Sequence, residues 1–474
     1  MKPGESVSRK KCRAGGVRTC CSMALFEEEI VLRGCGLWYN SGMEQIKIAF
    51  HTLGCKVNQY ETEALKERFA AAGYLIGEET EAADVYVVNT CTVTNLADRK
   101  SRQFIRRAHR LNPAALIAVT GCYAETDPEE VTAIEGVDLV IGNRDKQRLP
   151  EIVAARLEAR DIDLPEQDRG AYHSDGIITG MEDRTRAYIK IEEGCDRFCS
   201  YCIIPYARGR VRSRDPEEIV TEVTGLLEQG FKEIVLTGIN TALYGKDLGL
   251  SGVEPLIARL DALPYRFRIR LSSLEPTVID AAYAAGLTKY KKLCPHLHLS
   301  IQSGADSVLA GMHRRYDRAE YLEIVKALRA FDPLYGLSTD IIVGFPGETE
   351  EDFEDSLRMT EEAEYVKVHA FKYSKRRGTV AAERPDQVPD PVKADRAARL
   401  ARKAEDVSRH FREKCRGAER QVLFEERKGK LLSGYTDNYI RVYCEGPETL
   451  LNELCTVKLE EVYKDGMKGV ILDG

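Results

Sequence analysis

Features that would indicate a membrane or secreted protein are missing from this chain of 474 residues. It has no run of about 18 apolar residues, so we expect no membrane-spanning helix. The segment MALF at 23–26 runs directly into three glutamates, which leaves no apolar stretch for a secretory signal. We therefore expect a cytoplasmic protein that does not contact a membrane.

Cysteine and positive charge are both too sparse to define a class by themselves. The 14 cysteines fall far below the density of a small disulfide-stapled domain, so in a reducing compartment we expect ligands or buried thiols. The net charge of −7 does not indicate nucleic-acid binding, which must be argued from local clusters of Lys and Arg. The length predicts about two to four domains.

The order of apolar runs and helical patterns predicts how the first part of the chain is organised. Residues 1–43 have no sustained period, and we expect a disordered extension or an upstream start codon there. Residues 44–150 alternate helices with strands at 46–50, 85–88, 116–119 and 139–141, which predicts an α/β domain with a doubly wound parallel sheet. The polar segment 151–180 is expected to be a linker with one helix.

Two further units are predicted in the rest of the chain. Residues 181–408 carry a longer βα series, which predicts a full or partial (β/α) barrel. Its strands are expected at 187–191, 233–236, 268–271, 296–301, 337–343 and 366–373, with a charged helix at 392–413. Residues 409–474 predict a small β-barrel, with strands at 422–425, 439–443 and 457–462.

A first group of cysteines, Cys195, Cys199 and Cys202, lies in the segment EGCDRFCSYC at 193–202, directly after a predicted strand. Three thiolates this close together can hold one corner of a [4Fe–4S] cluster and leave the fourth iron open for a ligand. A zinc site is the alternative, but no histidine lies at a usual zinc spacing. The CxxxCxxC spacing, with Tyr201 before the last cysteine, closely resembles the signature of radical S-adenosylmethionine (SAM) enzymes.

Polar residues recur at every second position of two predicted barrel strands, at 268–272 and 296–302, so they share one face of each strand. Because barrel interiors are usually filled by branched apolar residues, polar inward faces indicate a bound ligand, although these faces could also point elsewhere. A glycine turn follows the strand at 233–236. The residues expected to contact the cofactor are Tyr201, Gly238, Asn240, Ser272 and Gln302.

A second group of cysteines, Cys55, Cys91 and Cys122, is dispersed along the first α/β region. Each follows a predicted strand and precedes a helix, which puts all three at the carboxyl edge of a parallel sheet, where ligands bind. One such cysteine would by default be a small buried residue. Three at equivalent positions predict a second three-cysteine cluster. A flavin site is the alternative, but the hydroxyl-rich phosphate loops that it needs are missing from the sequence.

Together the two groups resemble one family, the methylthiotransferases, over residues 44–474. Members of this family combine a domain with three dispersed cysteines, a radical SAM barrel and a terminal RNA-binding β-barrel called TRAM. Further matching segments are LSSLEP at 271–276, HLSIQSG at 298–304, MHRRY at 312–316, DIIVGFPG at 340–347 and FKYS at 371–374. The first cysteine loop, TLGCKVNQYETE at 52–63, is similar to the branch acting on threonylcarbamoyladenosine in tRNA. The isopentenyladenosine branch has Gln and Met after that cysteine, and the ribosomal-protein branch has Pro and Lys.

The resemblance implies an enzyme that methylthiolates C2 of N6-threonylcarbamoyladenosine next to the anticodon of tRNA. It implies two [4Fe–4S] clusters and SAM. The Cys195, Cys199 and Cys202 cluster would cleave SAM to a radical, and the Cys55, Cys91 and Cys122 cluster would hold the sulfur that is inserted. The implied partners are the tRNA and a low-potential electron donor of flavodoxin or ferredoxin type. The alternatives are methylthiolation of isopentenyladenosine or of a ribosomal protein, another radical SAM enzyme such as an RNA methylase, and a non-catalytic RNA-binding iron–sulfur sensor.

Clusters of Lys and Arg flank the cysteine segments at 99–110, 208–214 and 375–377. Arginines of the first segment share one face of a predicted helix, while the alternation of arginines at 208–214 predicts a basic strand face. A solvated surface is the alternative for each cluster. The predicted RNA contacts are Arg102, Arg106, Arg210, Arg212, Lys375 and Arg376. In the terminal β-barrel, Phe424, Tyr435, Tyr439 and Tyr443 either stack on bases or form its core.

Overall fold

A computed structural model of the chain describes residues 45–161, 175–181 and 185–473. The expectation for 1–43 and the central part of the expected linker lie outside these residues. Every helix in the described ranges is too short or too polar to cross a lipid bilayer.

The N-terminal sheet has five parallel strands in the order β2-β1-β3-β4-β5. The strands are β1 (Lys47–Thr52), β2 (Leu75–Gly77), β3 (Val85–Thr90), β4 (Leu116–Gly121) and β5 (Leu139–Val140). The helices are α1 (Lys56–Ala71), α2 (Asn95–Leu111), α3 (Cys122–Thr126), α4 (Pro128–Thr132) and α5 (Leu149–Leu157). This strand order confirms the predicted doubly wound sheet. The central strands β3 and β4 are buried on both faces, as their apolar runs predicted.

A partial barrel of six parallel strands, the central barrel, follows in the order β6-β9-β10-β12-β13-β14. A bridge from Ile269 to Leu293 joins its two halves. Its strands are β6 (Arg186–Lys190), β9 (Glu233–Thr237), β10 (Arg268–Leu271), β12 (His296–Leu299), β13 (Gly336–Val343) and β14 (Lys367–Lys372). Three two-residue strands accompany them: β7 (Glu192–Glu193), β8 (Arg212–Ser213) and β11 (Ser273–Leu274). The predicted partial barrel is therefore confirmed, and its edge strands are β6 and β14.

Nine helices belong to this region in the described residues. They are α6 (Ile204–Arg208), α7 (Pro216–Glu228), α8 (Glu254–Asp261), α9 (Ala281–Leu287), α10 (Asp306–Gly311), α11 (Arg318–Phe331), α12 (Glu350–Glu362), α13 (Val380–Glu383) and α14 (Asp390–Lys414). The apolar residues of the barrel strands, such as Ile234, Leu236 and Leu297, pack against these helices in the largest hydrophobic core. Because side chains alternate along a strand, the polar residues of the same strands face the interior of the barrel.

The C-terminal barrel is closed, in the strand order β15-β16-β17-β19-β18. Its strands are β15 (Glu419–Lys428), β16 (Leu431–Thr436), β17 (Arg441–Glu445), β18 (Leu454–Tyr463) and β19 (Gly466–Asp473). Phe424 is fully buried in its core. Tyr439 instead stacks on His296 of the central barrel, with ring centres 4.5 Å apart, and on Tyr435, at 5.1 Å.

The C-terminal barrel closes one end of the central barrel through two arginines of β10. Arg268 donates to the carbonyls of Gln421 and Tyr435 at 3.0 and 2.9 Å, and Arg270 donates to Thr436 and Asp437 at 3.1 and 3.0 Å. Both arginines also pair with Glu233. The polar inward face of β10 therefore holds a neighbouring part of the chain, which the sequence could not distinguish from a ligand.

Candidate active site

The first group of cysteines lies in a loop that leaves β7 and returns through α6 to β8, which pairs with β7. Gly194 has a φ of 79°, and a Cβ there would lie 1.9 Å from the carbonyl oxygen of Arg210, so only glycine fits. The amide of Cys195 donates to Gly209 at 3.0 Å, and that of Cys202 donates to Cys199 at 2.9 Å. Local backbone contacts thus fold the loop on itself.

The three cysteines line a cavity of about 280 Å³ at one end of the central barrel. Of the residues expected to contact the cofactor, Tyr201, Asn240 and Gln302 also line it. Gly238 and Ser272 are not among its lining residues. A Cβ on Gly238 would lie 2.2 Å from the carboxylate of Glu192, so this glycine gives room to the carboxyl group just before the cysteine segment.

Charged residues that the sequence analysis did not select form part of the cavity wall around Glu275. Arg197 and Arg314 donate to its carboxylate at 2.7 and 3.0 Å, and Asn240 donates at 2.8 Å. Arg314 also donates to the hydroxyl of Tyr201 at 2.9 Å. Opposite charges side by side suit a zwitterionic ligand such as an amino acid group. Glu275 and Arg314 lie in the segments 271–276 and 312–316, which match the family, so the sequence contained a signal that could have identified them.

The thiols in this loop are poor acids without a cation. Burial, a neighbouring thiol and nearby carboxyl groups raise the pKa of Cys195 to about 12. Burial and the charges of Cys199 and Cys195 also raise the pKa of Cys202 to about 12. Metal ligation requires thiolates, and a metal cation supplies the charge that stabilises them. The three free thiols on one cavity wall therefore fit a [4Fe–4S] cluster with an open iron.

The second group of cysteines meets at the carboxyl edge of the N-terminal sheet. Cys55 is the N-cap of α1, Cys91 follows β3, and Cys122 begins α3. The loop before α1 abuts Cys91, since a Cβ on Gly54 would lie 2.8 Å from its Sγ. Burial, followed by the charges of Cys122 and Cys55, raises the pKa of Cys91 to about 12. Three dispersed thiols therefore share one site, with Cys55 accessible and the other two buried.

A buried network of charges, the Glu61 network, joins the two groups of cysteines. Arg208, at the end of α6, donates to both oxygens of Glu61 at 2.7 and 3.0 Å, and to Asn58 at 2.7 Å. Lys146 and Lys190 donate to the same carboxylate at 2.6 and 3.2 Å. Arg208, Lys146 and Lys190 hold the pKa of Glu61 well below its usual range despite burial. The network links the helix after Cys55 to the helix after Cys202.

Sequence reasoning missed this network and misjudged Arg208, one of its members, and Arg214. Asn58 and Glu61 lie in the first cysteine loop motif, but their partners are up to 150 residues away. The predicted basic strand face at 208–214 is wrong, because α6 and Gly209 break the alternation before β8 begins. Arg208 is buried against Glu61, and Arg214 is buried against Glu222 at 2.5 Å.

The predicted RNA contacts divide into exposed and paired residues. Arg106, Arg210 and Lys375 are exposed; 78% of the Arg210 side chain is accessible, and its guanidinium lies 3.9 Å from Asp196. The other three are paired, Arg102 with Glu130 at 2.9 Å, Arg212 with Glu193 at 2.7 Å and Arg376 with Asp98 at 2.7 Å. Arg376 is buried and joins the N-terminal sheet region to the central barrel, so it does not reach the surface.

Two family models match the chain. The "Uncharacterized protein family UPF0004" model covers residues 47–142, and the "Radical SAM superfamily" model covers 189–360. Among solved structures, the radical SAM methyltransferase TsrM from Kitasatospora setae, with cobalamin and a [4Fe–4S] cluster bound, shares the fold. The TM-score is 0.55 at 15% identity, over 82% of this chain and 81% of TsrM.

Curated relatives match over nearly the whole length. The threonylcarbamoyladenosine tRNA methylthiotransferase MtaB of Bacillus subtilis is 42% identical over 420 residues, covering 87% of this chain and 93% of that protein. MtaB of Thermotoga maritima is 38% identical, covering 89% and 96%. A tRNA-2-methylthio-N(6)-dimethylallyladenosine synthase of Thermoanaerobacter is 35% identical, covering 89% and 92%. This chain therefore belongs to the radical SAM methylthiotransferase family, and within that family to the MtaB type.

Proposed function

We propose that this enzyme methylthiolates C2 of N6-threonylcarbamoyladenosine next to the anticodon of tRNA, with a [4Fe–4S] cluster on each group of cysteines. One observation carries the proposal: two separate three-thiol sites are joined by the buried Glu61 network. A radical SAM enzyme that only methylates RNA would not need the dispersed group. A non-catalytic iron–sulfur sensor would not need the charged cavity around Glu275.

The side chains divide the work between the two sites. Cys195, Cys199 and Cys202 would hold the cluster that, with SAM, supplies a radical able to take hydrogen from an inert aromatic C–H bond. Glu275 and Arg314 would bind the ammonium and carboxylate groups of SAM, since they present opposite charges on the same cavity wall.

Access for RNA is supported by aromatic and basic residues beside the first cysteine loop. Phe198 and Tyr206 are 40% and 55% exposed, and the guanidinium of Arg210 lies 5.9 Å from the ring centre of Phe198. Phe371, 41% exposed, lines the cavity itself. Exposed rings next to cations suit stacking of unpaired bases, as in an anticodon loop. The proposed tRNA substrate implies a cytoplasmic enzyme. Its radical chemistry would take electrons from a donor of flavodoxin or ferredoxin type.

Mass spectrometry of tRNA nucleosides from a strain lacking this protein tests the substrate. We expect loss of methylthio-threonylcarbamoyladenosine and accumulation of its unthiolated precursor. Loss of methylthio-isopentenyladenosine, or of a ribosomal-protein modification, would move the chain to another branch. Unchanged nucleosides and ribosomal proteins would favour the sensor.

The number of clusters is tested by iron and sulfide analysis after anaerobic reconstitution. Two [4Fe–4S] clusters require about eight irons per chain, and one cluster requires about four. A value near four in the wild type, unchanged by Cys91→Ala, would contradict the second cluster. Release of deoxyadenosine by the reduced enzyme excludes the sensor.

A further inference from the structure

Lys56 directly follows Cys55 and is the first residue of α1. This helix packs against β6, an edge strand of the central barrel. The ammonium of Lys56 lies 5.8 Å from the ring centre of Tyr188, a residue of β6. Its charge also acts on His369, which lies on β14, the other edge strand. Lys56 is therefore next to the second group of cysteines, between the two edges of the partial barrel.

Positive charge exceeds negative charge around Lys56. Burial, followed by the charges of Arg186 and Arg270 of the central barrel, lowers the pKa of Lys56, and the charge of Glu233 raises it. Arg268 and Glu425 are ion-paired to the same residues. The three arginines share Glu233 at distances of 2.5 to 3.9 Å, and Arg186 also pairs with Glu425 at 2.8 Å. Within the part of the chain that the structure describes, Lys56 feels these charges without an ion pair or hydrogen bond to a carboxylate. With Asp340, whose charge acts on the same His369, four cationic side chains thus face three carboxylates, which favours an anionic ligand.

A metal ion is a weaker explanation for this part of the barrel. His298, Asp340 and His369 present possible ligand atoms within 4.8 Å of one another. The Nδ1 atom of His298, however, already bonds to Ser338 at 3.0 Å, and its Nε2 atom lies 3.3 Å from Asp340. A divalent cation there would also be repelled by Lys56, whose charge acts on His369. The same positive charge would attract an anion.

We propose that Lys56 binds the carboxylate of the modified adenosine and so selects a threonylcarbamoyl group over an uncharged hydrocarbon group. The inference rests on the proposed function, which brings C2 of the adenine to the second group of cysteines. Both C2 and the C6 carbon that bears the substituted amine flank N1 of the same ring. We therefore place Lys56, one residue away from Cys55, on the side of the base where the N6 substituent extends.

The test compares two RNAs with the reconstituted enzyme. One is an anticodon stem-loop that carries threonylcarbamoyladenosine, and the other carries the same nucleoside with its carboxylate converted to a neutral methylamide. The variants are Lys56→Gln, which removes the charge, and Lys56→Arg, which keeps it. Lys326→Gln is the matched control, because Lys326 is exposed on α11 and pairs with Glu323 of the same helix. Affinity is measured by fluorescence anisotropy and turnover by mass spectrometry.

We expect Lys56→Gln to weaken binding of the carboxylate RNA, and to raise its KM, by about tenfold to a hundredfold, the range of a hydrogen bond to a charged group. Binding of the methylamide RNA should change little, Lys56→Arg should keep most of the preference, and Lys326→Gln should match the wild type. Equal effects of Lys56→Gln on both RNAs, or none on either, would overturn the role of Lys56. If the wild type binds the carboxylate RNA preferentially but never methylthiolates it, the proposed function fails while the anion site stands.

Discussion

The two groups of cysteines are built in opposite ways. Cys195, Cys199 and Cys202 lie within eight residues of one another, and the backbone of a single loop brings them together. Cys55, Cys91 and Cys122 come from three βα junctions, and only the pairing of β1, β3 and β4 brings them together. The first site therefore depends on local conformation, whereas the second depends on a correctly assembled sheet.

The carboxyl groups that support the two sites also differ in their protonation state. Glu61, beside the dispersed group, is surrounded by three cations and stays ionised. Glu192, just before the first loop, lies beside the carboxylate Glu193 and accepts a hydrogen bond at 2.6 Å from the amide of Asn240. Burial, followed by the charge of Glu193, raises the pKa of Glu192 to about 8. One site is thus supported by an ion network and the other by a neutral acid.

The largest effect is expected from removing one cysteine of each group. Cys195→Ala should abolish deoxyadenosine release and methylthiolation together, each by about a thousandfold or more, because an essential group of the chemical step is lost. Cys55→Ala should keep deoxyadenosine release but lose the methylthio product to a similar extent. Chromatography of deoxyadenosine and mass spectrometry of the RNA from the same reaction measure both. Unimpaired methylthiolation by Cys55→Ala would show that the dispersed group holds no reacting sulfur.

Glu61→Gln should destabilise the folded protein by about 3–5 kcal/mol, because it leaves buried cations without their shared partner. Glu81→Gln is the control: Glu81 pairs with Lys47 on the surface, where a salt bridge contributes about 1 kcal/mol or less. Urea unfolding compares the two variants. Since the folded pKa of Glu61 lies below its ordinary value of 4.5, its contribution is present above that pH and is lost on acidification. A difference from wild type that stays constant as the pH falls from 5 to 3 would contradict the ion network.

The same contrast explains how much the sequence could predict. The strands and the partial barrel were predictable because buried apolar runs have a local pattern, and the first loop because its cysteines are adjacent. Strands β2 and β11 have only three and two residues, too few to show a period. The burial of Arg208 was not predictable, because its partner Glu61 lies 147 residues away. A row of arginines looks the same in a sequence whether it faces solvent or a buried carboxylate.

Two glycine substitutions should break the sites one at a time. Gly194→Ala forces a Cβ into the backbone of Arg210, and Gly54→Ala forces one into Cys91, both from a positive φ. Each should cost about 1–3 kcal/mol locally and lower the iron content of its own site. Gly225→Ala is the control, because it lies within α7 with open space around it and should be stabilising by up to about 1 kcal/mol. Both variants should lower the iron content, but only Gly194→Ala should also lower deoxyadenosine release, so the two measurements together distinguish the sites.

A pH effect distinguishes the neutral acid of the first site. Because the folded pKa of Glu192, about 8, exceeds its ordinary value of 4.5, the folded state holds a proton that the unfolded state has already lost at neutral pH. Its contribution is therefore complete below pH 4.5 and is lost as the pH rises to 8, at up to about 1.4 kcal/mol per pH unit. Glu192→Gln places a neutral amide at the same position and should make unfolding by urea less dependent on pH between 6 and 8. Glu217→Gln, on the exposed first turn of α7, should leave that dependence unchanged. If Glu192→Gln also leaves the pH dependence of unfolding unchanged, Glu192 is ionised in the folded protein. Both groups of cysteines would then be supported by an ionised carboxylate.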